Sequence, residues 1–127
     1  MQSRSINAPG VHKPSTGYVQ AREIAGQSRV LFISGQTPVD IDGKVPEGFE
    51  AQCRLVWRNV EAQLRAAGMT LDNLVMSRTY LSDRRYALPN RTIRNEVLGA
   101  RETAVTVVIA GIFDENWLLE IEAVAAA

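Results

Sequence analysis

The sequence is poor in the residues that build metal centres and disulfide frameworks. Its 127 residues include one cysteine, Cys53, and one histidine, His12. One cysteine cannot form an internal disulfide, and an isolated histidine in a proline- and glycine-rich loop is a poor zinc ligand, so we expect no metal. A single thiol is typical of a reducing compartment. We therefore expect a cytoplasmic protein.

The sequence also lacks an excess of charge and a long hydrophobic run. Lys+Arg and Asp+Glu both number 14, so no electrostatic force favours nucleic acid. The longest apolar run, 107–113, is too short to cross a bilayer, and residues 1–5 lead into no apolar segment of a secretion signal. We expect neither a membrane nor a nucleic-acid partner. The basic cluster of Arg84, Arg85, Arg91 and Arg94 leaves an RNA or anion contact as a minor alternative.

What the sequence does have is enough apolar residues, 46%, for one well-packed domain across 1–127. Apolar residues recur at helical spacing from Phe49 to Ala67, and Gly68 provides a C-terminal stop. Pro89 suits the first turn of a second helix, which ends near Gly99. Two helices are therefore predicted.

Strand patterns surround these helices. Residues 1–17, rich in proline and glycine, predict a loop, and the segments 18–24 and 29–34 predict a hairpin around a turn at 25–28. Further strands are predicted at 74–81, 103–110 and 117–125. The order of elements favours an α+β fold with both helices on one face of a β-sheet.

The predicted strand at 104–110 is apolar on both sides. Such a strand has to be buried on both sides, yet two helices can cover only one face of the sheet. A second subunit is the simplest cover for the other face. The sequence therefore predicts an oligomer.

Polar residues at strand ends are the candidates for chemistry. Ser34 and Gly35 follow an apolar run, where glycine allows a ligand to approach closely. Glu120 and Glu122 share one face of the last strand. They either form a solvated edge, or one of them acts as a general base and the repulsion between the two charges keeps one carboxyl partly protonated. We do not expect a Ser-His-Asp nucleophile at Ser34, since His12 is the only histidine in the chain and no partner histidine is apparent.

An ordered set of short motifs resembles the RidA/YjgF family of small enamine/imine deaminases. The resemblance covers nearly the whole chain. The matching segments are Asn7-Ala8-Pro9, Gly17-Tyr18-Val19-Gln20, Ile33-Ser34-Gly35-Gln36-Thr37-Pro38-Val39, Asn59-Val60, Ala66-Ala67-Gly68-Met69, Asn90 and Glu120-Ile121-Glu122-Ala123-Val124-Ala125.

The resemblance implies a chorismate-mutase-like sheet with two helices on one face, a homotrimer, and a small-molecule site at the subunit interface without a cofactor. It implies that Glu120 orients the attacking water. It also implies that the pocket is lined by Tyr18, Ser34, Gly35 and Asn90.

One departure from the family concerns the arginine that binds the substrate carboxylate. Aligned through Ala110, that arginine falls on Ala104. The nearest arginine, Arg101, could replace it only if the preceding loop bends towards the pocket. The implied function is thus a RidA-like hydrolase of 2-imino acids with a displaced arginine. The alternatives are a non-catalytic metabolite-binding or regulatory trimer and a chaperone-like oligomer.

Overall fold

The computed structural model describes residues 1–14 and 17–127, and a four-stranded mixed sheet forms its centre. In chain order the elements are β1 (Gln2–Ile6), β2 (Ala21–Ala25), β3 (Val30–Gln36), α1 (Phe49–Ala66), β4 (Leu74–Leu81), α2 (Ala87–Leu98), β5 (Ala104–Ile109) and β6 (Leu119–Ala126). The strand order of the large sheet is β3-β6-β4-β5. Only its β4–β5 pair is parallel.

The core lies between one face of this sheet and the helices. Helix α1 packs on β6 and β3 and contacts α2. The buried face of β6 carries Leu119, Ile121 and Ala123, as the alternation predicted. Gly68 follows α1 with a positive φ of 70°, a conformation that glycine adopts without strain. The α+β prediction with two helices on one face is confirmed.

The prediction for the N-terminal part was wrong in two respects. Residues 2–6 form β1, not a loop, and β2 pairs with β1 in a separate two-stranded sheet, whereas β3 pairs with β6. The polar side chains of β2 explain why it pairs with β1 and not with β3. Strand β2 has no apolar face for the core, and its Arg22 donates a hydrogen bond of 2.8 Å to the Ser3 hydroxyl on β1. Strand β3 buries Ile33 instead.

Strand β5 lies at an edge of the large sheet and stays exposed within the chain. Val107, Val108 and Ile109 are 37–39% exposed. Such an apolar edge has unpaired backbone groups that can pair with another chain. The predicted oligomer would cover it. Within the described residues, no helix is long and apolar enough to span a membrane.

Candidate functional site

The open face is our name for the side of the large sheet opposite the helices, which carries Phe32, Arg78, Tyr80, Glu120 and Glu122. Strand β6 alternates, so its two glutamates point away from the core as predicted. In the register of β4 with β6, Tyr80 lies opposite Glu120 and Arg78 lies opposite Glu122. Four polar side chains are thereby brought together on two central strands.

Hydrogen bonds join three of these four side chains. Arg78 Nη1 donates to Oε1 of Glu122 over 2.8 Å, and the Tyr80 hydroxyl donates to the same oxygen over 2.5 Å. Both contacts stabilise the ionised carboxylate, so the pKa of Glu122 is lowered, most by Tyr80 and then by Arg78. The sequence had suggested that two like charges hold one carboxyl partly protonated. For Glu122 the opposite holds, because Arg78 and Tyr80 are its partners.

A β-bulge brings Gly35 to Glu120. Ile33 pairs with Ala123 and Gln36 with Ile121, so two residues, Ser34 and Gly35, lie opposite one residue of β6. A Cβ atom on Gly35 would lie 2.7 Å from Cδ of Glu120. Glycine leaves room for the carboxylate in this position, whereas a side chain on residue 35 would displace it, which accounts for the glycine at the end of the apolar run.

The carboxylate of Glu120 lines a cavity of about 310 Å³ on the open face. The β5–β6 loop forms its other wall through Gly111, Ile112 and Phe113, and Phe113 is 94% exposed. The remaining lining comes from Gly35, Tyr80, Ala110 and Glu122. A concave space with two carboxylates, a phenol and an apolar wall is the kind of place where small polar molecules bind.

Ser34 lies beside this cavity and does not line it. Ser34 instead borders a separate groove along the outer edge of β3, together with Phe32 and Gln63. The bulge accounts for the separation, because consecutive residues at that point face different spaces. Of Ser34 and Gly35, it is therefore Gly35 that contacts the Glu120 carboxylate of the same chain.

Tyr18 and Asn90 lie near the opposite edge of the sheet. Val19 forms a bridge with Ala104, the first residue of β5, and its N–H donates to Thr103 O over 3.0 Å. This pairing places Tyr18 against α2, where its ring centroid lies 5.9 Å from the guanidinium carbon of Arg94. Asn90 is 1% exposed on the same helix. The candidates thus form two groups, one around Gly35 and Glu120 and one where Tyr18 packs on α2.

Arg101 lies with neither group. Its Nε donates to Oδ1 of Asp72 over 2.7 Å and its Nη1 to Leu98 O over 3.2 Å. It borders a pocket beside the end of α1. The loop before β5 does not bend towards Glu120 in this chain.

Two further polar residues were missed in the sequence: Arg78 and Tyr80. Arg78 and Tyr80 alternate along a predicted strand and therefore share a face, which was a usable signal. Arg94 belongs to the basic cluster for which the sequence left an RNA or anion contact open, and it is 4% exposed. Within residues 1–14 and 17–127, no group of His, Cys, Asp or Glu side chains is arranged to hold a metal.

Comparison with known proteins decides the family. The model of the endoribonuclease L-PSP family matches residues 6–127. The chain belongs to this family, whose members include the RidA/YjgF (Rid) proteins.

Individual relatives agree with the family model. The chain is 35% identical over 121 residues to the RutC family protein PH0854 of Pyrococcus horikoshii, which covers 94% of this chain and 91% of that protein. A RutC family protein of Aquifex aeolicus is 38% identical over 81 residues, 63% of this chain and 62% of that protein. The crystal structure of the Rid family protein YyfB from Yersinia pestis superposes with a TM-score of 0.85 at 29% identity, with 100% of both chains covered.

Proposed function

We propose that this Rid family protein is a hydrolase of reactive imines or enamines. The observation that carries the proposal is the Glu120 carboxylate, which lies against Gly35 and lines the cavity of about 310 Å³. Hydrolysis of a C=N bond adds water to the carbon and releases ammonia. A carboxylate beside the carbon can orient that water and accept its proton, and no cofactor is needed.

We propose that the complete site forms between subunits of a homotrimer. Ser34 and Gly35 lie on the edge strand β3, whereas Tyr18 lies beside the other edge strand, β5. Head-to-tail contacts that close into a ring bring opposite edges of neighbouring copies together. The exposed apolar residues of β5 and the 78% exposed Phe32 support such contacts. The single buried thiol of Cys53 is consistent with work in the cytoplasm.

The substrate carboxylate would be held differently from the family pattern. Position 104 is alanine, and Arg101 can serve only if its ion pair with Asp72 opens. Loss of a buried charge-assisted contact costs about 2–5 kcal/mol. If the contact acts in the transition state, the rate on small 2-imino acids falls by about 30-fold to several thousand-fold.

A coupled assay tests this function. An amino-acid oxidase or dehydratase generates 2-iminopropanoate or 2-iminobutanoate in situ, and decay of the imine is followed with and without the protein. We expect decay faster than in buffer but slower than with a Rid protein that has the arginine. Decay at the buffer rate contradicts the hydrolase.

The second candidate is a non-catalytic trimer that binds a small metabolite for buffering or regulation. It is favoured by Arg101, whose guanidinium is occupied by Asp72 at 2.7 Å. Saturable binding of a 2-oxo acid without any acceleration of imine decay would support this candidate.

A further inference from the structure

We propose that Arg94 binds the anionic group of a small carboxylate ligand at a site between α2 and the segment that follows Gly17. The inference rests on the proposed function, since it identifies the residue that holds the acid group of that substrate or metabolite. It concerns a residue of α2, not of the strand where the family arginine is expected.

Among the described residues, Arg94 is a buried cation without an acidic partner. Its residue is 4% exposed, and its buried Nε has no hydrogen-bond partner in the described part of the chain. None of the ion pairs found there involves it. Charged side chains are almost never buried unless paired, and arginine does not lose its proton in proteins. The guanidinium therefore lacks the anion that such burial requires.

Two more buried polar atoms, one on α2 and one directly before β5, also lack hydrogen-bond partners among the described residues. Asn90 lies one helical turn earlier on the same face of α2, and its Oδ1 is buried without a hydrogen bond from residues 1–14 or 17–127. The same is true of Thr103 Oγ1, on the residue that accepts the hydrogen bond from Val19. Buried polar groups are normally satisfied, so several orphaned atoms together indicate a missing occupant. The Arg94 guanidinium and the Thr103 hydroxyl can donate to a carboxylate, whereas Asn90 Oδ1 can only accept and would take an N–H group of the same ligand.

The surrounding charge favours an anion. Burial lowers the pKa of Arg94, and repulsion from Arg91 lowers it further. The half-buried Tyr18 covers the guanidinium, with 5.9 Å from the ring centroid to the guanidinium carbon. A ligand carboxylate would relieve the repulsion between the two arginines and could reach Arg94 after a change in the Tyr18 side chain.

The location also relates Arg94 to the departure at position 104. Tyr18, which contacts Arg94, directly precedes Val19, and Val19 pairs with Ala104. Arg94 therefore contacts the residue next to the one that pairs with Ala104, and it would supply a cation from α2 instead of from the strand where the family arginine is expected. Arg94 can then still bind the acid group of the ligand. The C=N bond of that ligand would lie in a different place from the one in relatives that have the strand arginine, so small 2-imino acids would be hydrolysed slowly.

Calorimetric titration with 2-oxobutanoate, the product of one proposed reaction, tests the inference. Four proteins are compared: wild type, Arg94→Met, Arg94→Lys and the control Arg65→Met. Arg65 is an exposed arginine of α1 that lies 3.8 Å from Glu61. We expect saturable binding to wild type and Arg65→Met, roughly 30-fold weaker binding to Arg94→Met, and an intermediate constant for Arg94→Lys, which keeps the charge without the planar fork. Thermal melts establish that each variant is folded.

Several outcomes would overturn the inference. They are an unchanged dissociation constant for Arg94→Met, no binding to wild type up to about 10 mM, or dissociation of the oligomer in Arg94→Met, which would assign the guanidinium to a neighbouring copy. Imine turnover is measured in parallel. Arg94-dependent binding without turnover supports this inference and contradicts the hydrolase, whereas turnover that Arg94→Met leaves unchanged supports the hydrolase and overturns this inference.

Discussion

The backbone of Gly35 adjoins the carboxylate of Glu120, so that a Cβ atom on Gly35 would lie 2.7 Å from Cδ of that glutamate. The two residues are far apart in sequence. They meet because the bulge in β3 turns Gly35 towards β6. This contact determines the position of the Glu120 carboxylate and therefore the position at which that carboxylate could activate a water molecule.

Replacement of Gly35 by alanine should displace the Glu120 carboxylate. The added methyl group overlaps a flexible side chain and not the backbone, and Gly35 has no positive φ that alanine would resist. We therefore expect imine turnover to fall by about 10- to 100-fold, since small misplacements of a catalytic group are costly. The free energy of unfolding, measured by denaturant titration, should change by less than about 1 kcal/mol.

The matched control for this variant is Gly111→Ala. Gly111 lines the other wall of the same cavity, also has no positive φ, and a Cβ there meets no atom within 4 Å. Turnover by Gly111→Ala should stay within about threefold of wild type. Equal losses in both variants would mean that any added bulk blocks the cavity, and the specific role of the Gly35–Glu120 contact would be wrong.

Much of the fold follows from patterns that the sequence displays directly. The apolar spacing from Phe49 onwards predicts α1, and alternation predicts β6 with Ile121 inward and Glu120 outward. Strand β1 could not be predicted in this way, because Gln2–Ile6 carries mostly polar side chains and is held by pairing with β2. Pairing between distant segments has no local signal.

The pH dependence of stability should depend on Glu122. Its pKa is lowered below the ordinary value of 4.5 in the folded state. The resulting stabilisation is complete above the unfolded pKa and is lost as pH falls through the folded pKa. Between about pH 5 and 3, the melting temperature of Glu122→Gln should therefore fall less steeply than that of wild type. The difference should be small, since the carboxylate is 36% exposed and partly screened.

Glu23→Gln is the control for this effect. Glu23 forms an exposed ion pair with Arg4, 3.2 Å apart. That variant should keep the wild-type slope. A Glu122→Gln variant with the slope of wild type would show that the contacts of Glu122 with Tyr80 and Arg78 do not couple to folding.

Assembly should depend on the exposed edge of the sheet. Val108 lies opposite Tyr80 in the register and is 37% exposed within the chain. We expect wild type to sediment as a trimer at about 10 µM and Val108→Asp to shift towards monomer, because a charge would be buried without a partner. Ile41→Asp is the control, since Ile41 is fully exposed. A monomeric wild type would contradict both the trimer and the intersubunit site.

The thiol of Cys53 should be unreactive in the folded protein. Burial raises its pKa to about 12 and outweighs the opposing charge of Arg54. At pH 8 only about one thiol in ten thousand is then ionised, and the thiolate is the reactive form. Titration with a disulfide reagent should show one rapid reaction in denaturant and none in buffer over minutes. Rapid labelling in buffer would mean that α1 opens locally.

The site was less predictable from sequence than the fold. Glu120 and Gly35 could be singled out because a polar residue and a glycine near the ends of predicted strands can be recognised from the sequence alone. The contacts of Arg78 and Tyr80 with Glu122 depend on the register of β4 with β6, and the burial of Arg94 depends on how Tyr18 packs on α2. Neither relation can be derived from local composition.

The catalytic role of Glu120 is measured by following imine decay with wild type and with Glu120→Gln. Glutamine keeps the size of the side chain but cannot accept a proton from water. We expect wild type to accelerate the decay of 2-iminobutanoate, and we expect Glu120→Gln to return the decay to the buffer rate while remaining folded and trimeric. Equal acceleration by both proteins would contradict a catalytic role for Glu120, and no acceleration by wild type would contradict the hydrolase itself.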